Sequence, residues 1–192
     1  MEIDQIKGKL DKKEYDFFTK FSEQLELPLY FIGSIARIDF IKGKSDLDLE
    51  VFSENIHSTK CKVEYLLNYY YKNKEPKYIV FTINGNPISG YKYYFEGLDV
   101  RFDFTVYKKE CKELLLHQRN IDTNIPVVLI IFLFMIKYLY YYLNIITNKQ
   151  YTIIKKNVWV FYNSEKTMSK TYRKEEYMNY INSEMGYKTY LI

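Results

Sequence analysis

Two aspartates, Asp46 and Asp48, flank a single leucine in the segment 31–52, FIGSIARIDFIKGKSDLDLEVF. On a strand, residues i and i+2 face the same way. The two carboxylates would then project side by side, with Leu47, Leu49 and Val51 pointing into a core. Like charges at that spacing repel, and folding alone gives no reason to place them there. A divalent cation does give one. Hard cations such as Mg²⁺ or Mn²⁺ take carboxylate oxygens and balance the paired charge. Upstream, Gly33-Ser34 ends an apolar run. A brief helix is expected to begin at Ser34, with Arg37 one turn along it.

A third acid comes from segment 99–107, DVRFDFTVY, which alternates by two. Asp99, Arg101, Asp103 and Thr105 share one face, and Val100, Phe102, Phe104 and Val106 the other. Taken alone, this strand reads as a solvated face with internal ion pairing. Beside Asp46 and Asp48, Asp103 gains a second reading. Two-metal phosphoryl transfer needs oxygen ligands for both cations and a base near the attacking hydroxyl, and a carboxylate from a neighbouring strand supplies both.

The elements that must position these groups follow from periodicity. Apolar residues Phe17, Phe18, Phe21 and Leu25 predict a helix over 12–25. A short strand is expected at 29–33, then a brief helix from Ser34 and a loop at 42–45 leading into the aspartate strand. Residues 63–71 read as helix. Strands follow at 78–83, 91–95 and 99–107, separated by the turn residues Asn84-Gly85-Asn86-Pro87 and Glu96-Gly97. Helices are expected at 109–118, 126–144 and 173–185, and 151–162 could form a hairpin around Lys156-Asn157. This is an α+β pattern: a mixed sheet with flanking helices over 1–107, followed by a mainly helical region over 108–192 with a small hairpin.

Composition narrows the class. A chain of 192 residues with 47% hydrophobic content can bury a core, which excludes wholesale disorder. A net charge of +4 permits a phosphate-bearing partner without demanding one. Two cysteines, Cys61 and Cys111, make neither a disulfide framework nor a metal cluster and predict a reducing compartment. The first residues lack an apolar secretory core, so a cytoplasmic protein is expected. The 22 tyrosines read as drift toward A/T-rich codons, as in a large DNA virus, combined with ordinary packing. Segment 125–146 approaches the length of a membrane span, but Lys137 interrupts it and Pro126 follows Asp122, Thr123 and Asn124 as at a helix start. A buried helix and no membrane contact are the expectation. His57 and His117 lack spaced partners and read as structural or surface residues. Trp159 reads as packing.

The order Gly-Ser, then Asp-x-Asp on a strand, then a later Asp between apolar residues resembles the DNA polymerase β-like nucleotidyltransferase superfamily. Gly33-Ser34 is similar to its Gly-Ser motif, Asp46-Leu47-Asp48 to its metal pair and Phe102-Asp103-Phe104 to its third acid. The resemblance spans roughly 28–107. Two branches share it. Segments 33–37 and 45–49 look like the minimal nucleotidyltransferases and their antibiotic-modifying relatives. Arg101-Phe102-Asp103-Phe104 is similar to the Arg-x-Asp strand of X-family DNA polymerases. Residues 148–153, NKQYTI, with the expected helix at 173–185, follow the order at the end of the X-family catalytic region.

The resemblance implies a polymerase β-like palm. It implies transfer of a nucleoside monophosphate from an NTP or dNTP to a hydroxyl, with release of pyrophosphate. Asp46, Asp48 and Asp103 would hold two Mg²⁺ or Mn²⁺ ions, with Asp103 as general base, and Gly33, Ser34 and Arg37 would contact the triphosphate. A poly(A)-polymerase-like helix would bring Lys137 to phosphate as well, although a lysine on an apolar helix also reads as snorkelling. The acceptor implied first is a nucleic-acid 3′-hydroxyl, as for a small X-family polymerase. A protein, tRNA or small-molecule acceptor, or an idle nucleotide- or RNA-binding module, are the alternatives.

Overall fold

The computed structural model describes residues 1–68, 76–97 and 100–162. The expected helix at 173–185, Asp99 and the last residues of the expected helix at 63–71 lie outside them.

Helix α1, Lys12–Leu25, begins where Asp11 accepts a hydrogen bond from the Glu14 backbone N–H (2.8 Å) and the Glu14 carboxylate accepts one from the Asp11 N–H (2.7 Å). This reciprocal cap satisfies two donors that a helix start leaves open. The helix ends at Glu26, whose φ of 58° turns the chain out of the helix. Strand β1, Tyr30–Ile32, leads into one 3₁₀ turn, Gly33–Ala36, and β2 spans Leu47–Ser53. Helix α2, Ile56–Asn68, precedes a meander of β3, Lys77–Ile83, β4, Asn86–Gly97, and β5, Val100–Lys108.

The five strands form one mixed sheet in the order β1-β2-β5-β4-β3. β2 runs parallel to β5, and every other neighbouring pair is antiparallel. Between β3 and β4, Asn84 and Gly85 form a two-residue turn, both with positive φ (51° and 78°), the geometry that Asn-Gly favours in hairpins. Pro87 is tolerated within β4 because the ladder to β5 begins only at Gly90, leaving its missing N–H on an unpaired side.

The sheet sorts its side chains by parity. Leu47, Leu49, Val51, Phe102, Phe104 and Val106 point to one face and bury against Phe18, Phe21 and Leu25 of α1 and Val63 and Leu67 of α2. Phe18 meets Phe31 and Phe102 edge-on, with ring centres 5.2 Å apart in each pair. The opposite face holds a smaller core of Tyr30, Phe52, Ile88, Tyr107 and Leu115. Leu115 belongs to helix α3, Lys112–Thr123, which follows a 3₁₀ turn at Lys109–Cys111. The same face carries Asp48, Glu50 and Asp103.

Helix α4 is Val127–Tyr141 and α5 is Asn148–Tyr162. At 15 residues, α4 is about 22 Å long at 1.5 Å per residue, short of a hydrocarbon core of about 30 Å. Among the described residues, no single helix is long and apolar enough to cross a membrane. The expected hairpin over 151–162 is instead the body of α5. Thr147 caps it: its N–H donates to Gln150 Oε1 (2.8 Å), and the Gln150 N–H donates to Thr147 Oγ1 (3.3 Å). The Tyr151 ring stacks on Tyr140 of α4 at 4.6 Å.

Candidate functional site

Strand pairing sets the centre of the site. Asp48 on β2 is the direct register partner of Asp103 on β5 and of Ile32 on β1. The two carboxylates therefore occupy neighbouring positions on one sheet face, where a like-charged pair is unfavourable. Asp48 is half-buried. Burial first, and then the charge of Asp103, push its carboxyl up to about 6; Asp46 adds to this, and Lys92 and Lys155 pull against it. Asp46 lies one residue before β2 and is exposed. Its charge reaches α4: burial first, then Asp46, raise the Tyr141 hydroxyl above its ordinary value.

Gly33 is fitted to Asp48. Its φ is 71°, and a Cβ there would stand 2.5 Å from Asp48 Oδ2. Any larger residue would be both strained and in collision with the carboxylate. The close neighbour of Gly33 in this structure is the Asp48 carboxylate. Ser34 is half-buried within the 3₁₀ turn, and its carbonyl accepts the Arg37 N–H (2.9 Å).

Arg37 departs from expectation. It follows the 3₁₀ turn in extended conformation (φ −114°, ψ 175°) instead of riding a helix. Its guanidinium turns inward to Asp39, with Nε 2.7 Å from Oδ1 and Nη2 3.1 Å from Oδ2. Trp159 of α5 covers it, 5.3 Å from ring centre to guanidinium carbon.

Lys137 joins the same cluster and does not snorkel, being only 4% exposed. Its ammonium lies 3.0 Å from Asp39 Oδ2 and donates to the Asp39 carbonyl (2.8 Å) and to Ser45 Oγ (3.3 Å). It therefore ties α4 to the loop that leads into the aspartate strand. Burial alone would raise the Asp39 carboxyl, but Arg37 and Lys137 outweigh it and hold the group below its ordinary value. Burial lowers Lys137 despite Asp39. The structure thus brings Asp48, Asp103 and Gly33 together, and gathers Arg37 and Lys137 around Asp39.

Two further cations face the acids. Lys92 of β4 stands 2.8 Å from Asp103 Oδ2. Burial would lower its ammonium, but the ion pair with Asp103 outweighs this and holds it above its ordinary value. Lys155, exposed on α5, lies within electrostatic reach of Asp48 and Lys137. The alternation that placed Asp103 could have found Lys92, since a strand antiparallel to 99–107 carries Lys92 and Tyr94 on one face. Lys155 was masked by the hairpin expectation.

Among the described residues, no three acidic, histidine or cysteine side chains converge into a ready-made metal cage. The donor set still suits a hard divalent cation at the level of the pair: two carboxylates adjacent in register, one of them held unfavourably charged, with a glycine packed on it. No protein-family model, curated protein or solved structure matches this chain.

Proposed function

We propose that the chain is a metal-dependent nucleotidyltransferase with a polymerase β-like palm, moving a nucleoside monophosphate from an NTP or dNTP to an acceptor hydroxyl. One observation carries this reading. Asp48 and Asp103 stand side by side on adjacent parallel strands, with Gly33 against Asp48, which fits the motif order that the sequence resembles. A structural ion pair would have placed a base opposite the acid, and Asp48 has an acid there.

In this reading Asp46, Asp48 and Asp103 hold Mg²⁺ or Mn²⁺, which supplies charge neutralisation at the triphosphate and makes the acceptor hydroxyl more acidic. Asp103 receives the proton of that hydroxyl. The acceptor oxygen forms a bond to the α-phosphorus, and the bond from that phosphorus to pyrophosphate breaks. The 3₁₀ turn at Gly33-Ser34 borders Asp48 and positions the donor phosphates. Exposed Lys155 is better placed to meet them than Arg37 or Lys137, which Asp39 engages.

A nucleic-acid 3′-hydroxyl is the acceptor that the surface beyond Asp103 favours. Tyr94, the register partner of Asp103, is 43% exposed. Lys77 and Lys92 each lie 5.0 Å from its ring centre. Cations around an exposed aromatic suit phosphates and bases.

The test is label transfer. Purified protein is incubated with α-labelled NTPs or dNTPs, Mg²⁺ or Mn²⁺, and single-stranded RNA, gapped DNA, tRNA or protein acceptors. Transfer to nucleic acid is expected, falling at least about a hundredfold in Asp48→Ala and Asp103→Ala. Equal labelling by wild type and both variants would remove the enzyme reading, and label found in protein would move the acceptor.

A further inference from the structure

Lys92 is placed to compete with a metal ion. On β4, Tyr94 is the direct partner of Asp103 and Lys92 the partner of Thr105, so both share the face of the carboxylates. The Lys92 ammonium reaches diagonally to within 2.8 Å of Asp103 Oδ2 while staying 5.0 Å from the Tyr94 ring centre. Lys77 of β3, in register with Lys92, approaches that same ring at 5.0 Å. The ring can thus accommodate cations, and the Lys92 ammonium stands between it and the acid. The Lys92 and Asp103 side chains are only 26% and 27% exposed.

A partly exposed ion pair of this kind stabilises a fold by about 1 kcal/mol at most, so architecture alone gives little reason for Lys92. Charge balance gives a better one. Without a cation, Asp48 and Asp103 repel across the β2–β5 ladder, and an ammonium at Asp103 relieves that repulsion. With a divalent ion on the same oxygens, the ammonium is a like charge at contact range and must leave. A lysine stem can rotate away from Asp103 without disturbing the strand, and the Tyr94 ring it already approaches keeps its charge favourably placed.

We infer that Lys92 is a built-in counter-cation for the Asp48–Asp103 pair, displaced from Asp103 when a divalent cation binds. It is a positioning residue that keeps the metal-free fold intact at the cost of some cation affinity. The inference rests on the reading of the two aspartates as a cation site.

Mn²⁺ is the probe, its binding followed by the electron paramagnetic resonance of the free ion and by thermal melting of the full chain. Lys92→Met keeps the stem and removes the charge. It should bind Mn²⁺ about 1.5- to 5-fold more tightly than wild type, the range that a partly exposed ion pair permits. It should melt below wild type without metal, and saturating Mn²⁺ should close the gap. Lys92→Arg should bind no more tightly than wild type. In an Asp103→Asn background, Lys92→Met should gain nothing.

A gain that persists in that background would mark a general charge effect and overturn the inference, as would unchanged or weaker binding by Lys92→Met. Asp48→Asn separates the two ideas. If it loses Mn²⁺ while Lys92→Met gains none, only the role of Lys92 falls. If it binds Mn²⁺ as wild type does, the cation-site reading falls and the role of Lys92 with it.

Discussion

Glu50 and Asp48 lie two residues apart on the same strand and the same sheet face, and the fold treats them in opposite ways. Glu50 is 2% exposed, and Arg119 of α3 donates two hydrogen bonds to its Oε1, from Nε at 3.1 Å and Nη2 at 2.7 Å. Asp48 is given another acid, Asp103, as its register partner. Asp39 resembles Glu50: it is fully buried and held by both Arg37 and Lys137. Where the chain buries a carboxylate for structure, it brings an opposite charge to contact. At Asp48 and Asp103, among the described residues, it brings Lys92 to contact with Asp103 and Lys155 only within electrostatic reach of Asp48, whose carboxyl stays raised. That contrast, more than either acid alone, separates a site from scaffolding.

The contrast can be broken from the structural side with the largest expected effect. Arg119→Met leaves Glu50 buried beside apolar neighbours with its charge uncompensated, and should destabilise the fold by about 3 kcal/mol, read from urea denaturation midpoints. A loss under about 1 kcal/mol would show that Glu50 is no better paired than Asp48.

From the other side the sign reverses. Asp48→Asn removes one member of the repulsive pair. The folded-state carboxyl of Asp48 is raised to about 6, so the fold favours its protonated form. That contribution is fully present below the ordinary aspartate range and is lost as pH rises through about 6. In metal-free buffer, Asp48→Asn should therefore match wild type near pH 4 and exceed it by about 2 kcal/mol above pH 6. A variant less stable than wild type at pH 7 would mean that Asp48 is paired after all.

How much of this was legible in the sequence depended on which signal ruled each segment. Helix α1 was readable in the sequence, because the Phe17, Phe18, Phe21, Leu25 spacing fixes its face, and the structure adds the Asp11–Glu14 cap at its start. The alternation in 99–107 gave the correct faces of β5, including Asp103. The partnership of Asp48 with Asp103 is a register, and no local pattern carries a register.

Two expectations meet contacts that come from across the chain. Segment 151–162 reads as a hairpin around Lys156-Asn157, while the Thr147–Gln150 cap and packing of Tyr151 on Tyr140 make it a helix. The resemblance implies phosphate contacts for Arg37 and Lys137. Asp39, an unremarked acid two residues past Arg37, claims both. Propensity and motif order see residues along the chain, and these outcomes were settled across it.

The most direct test of the unbalanced pair is the titration of the Asp48 carboxyl itself, followed by carbon-13 NMR with and without Mg²⁺. A midpoint near 6 without metal, falling below about 4 when Mg²⁺ is saturating, is the predicted result. An ordinary aspartate midpoint that Mg²⁺ leaves in place would contradict the account.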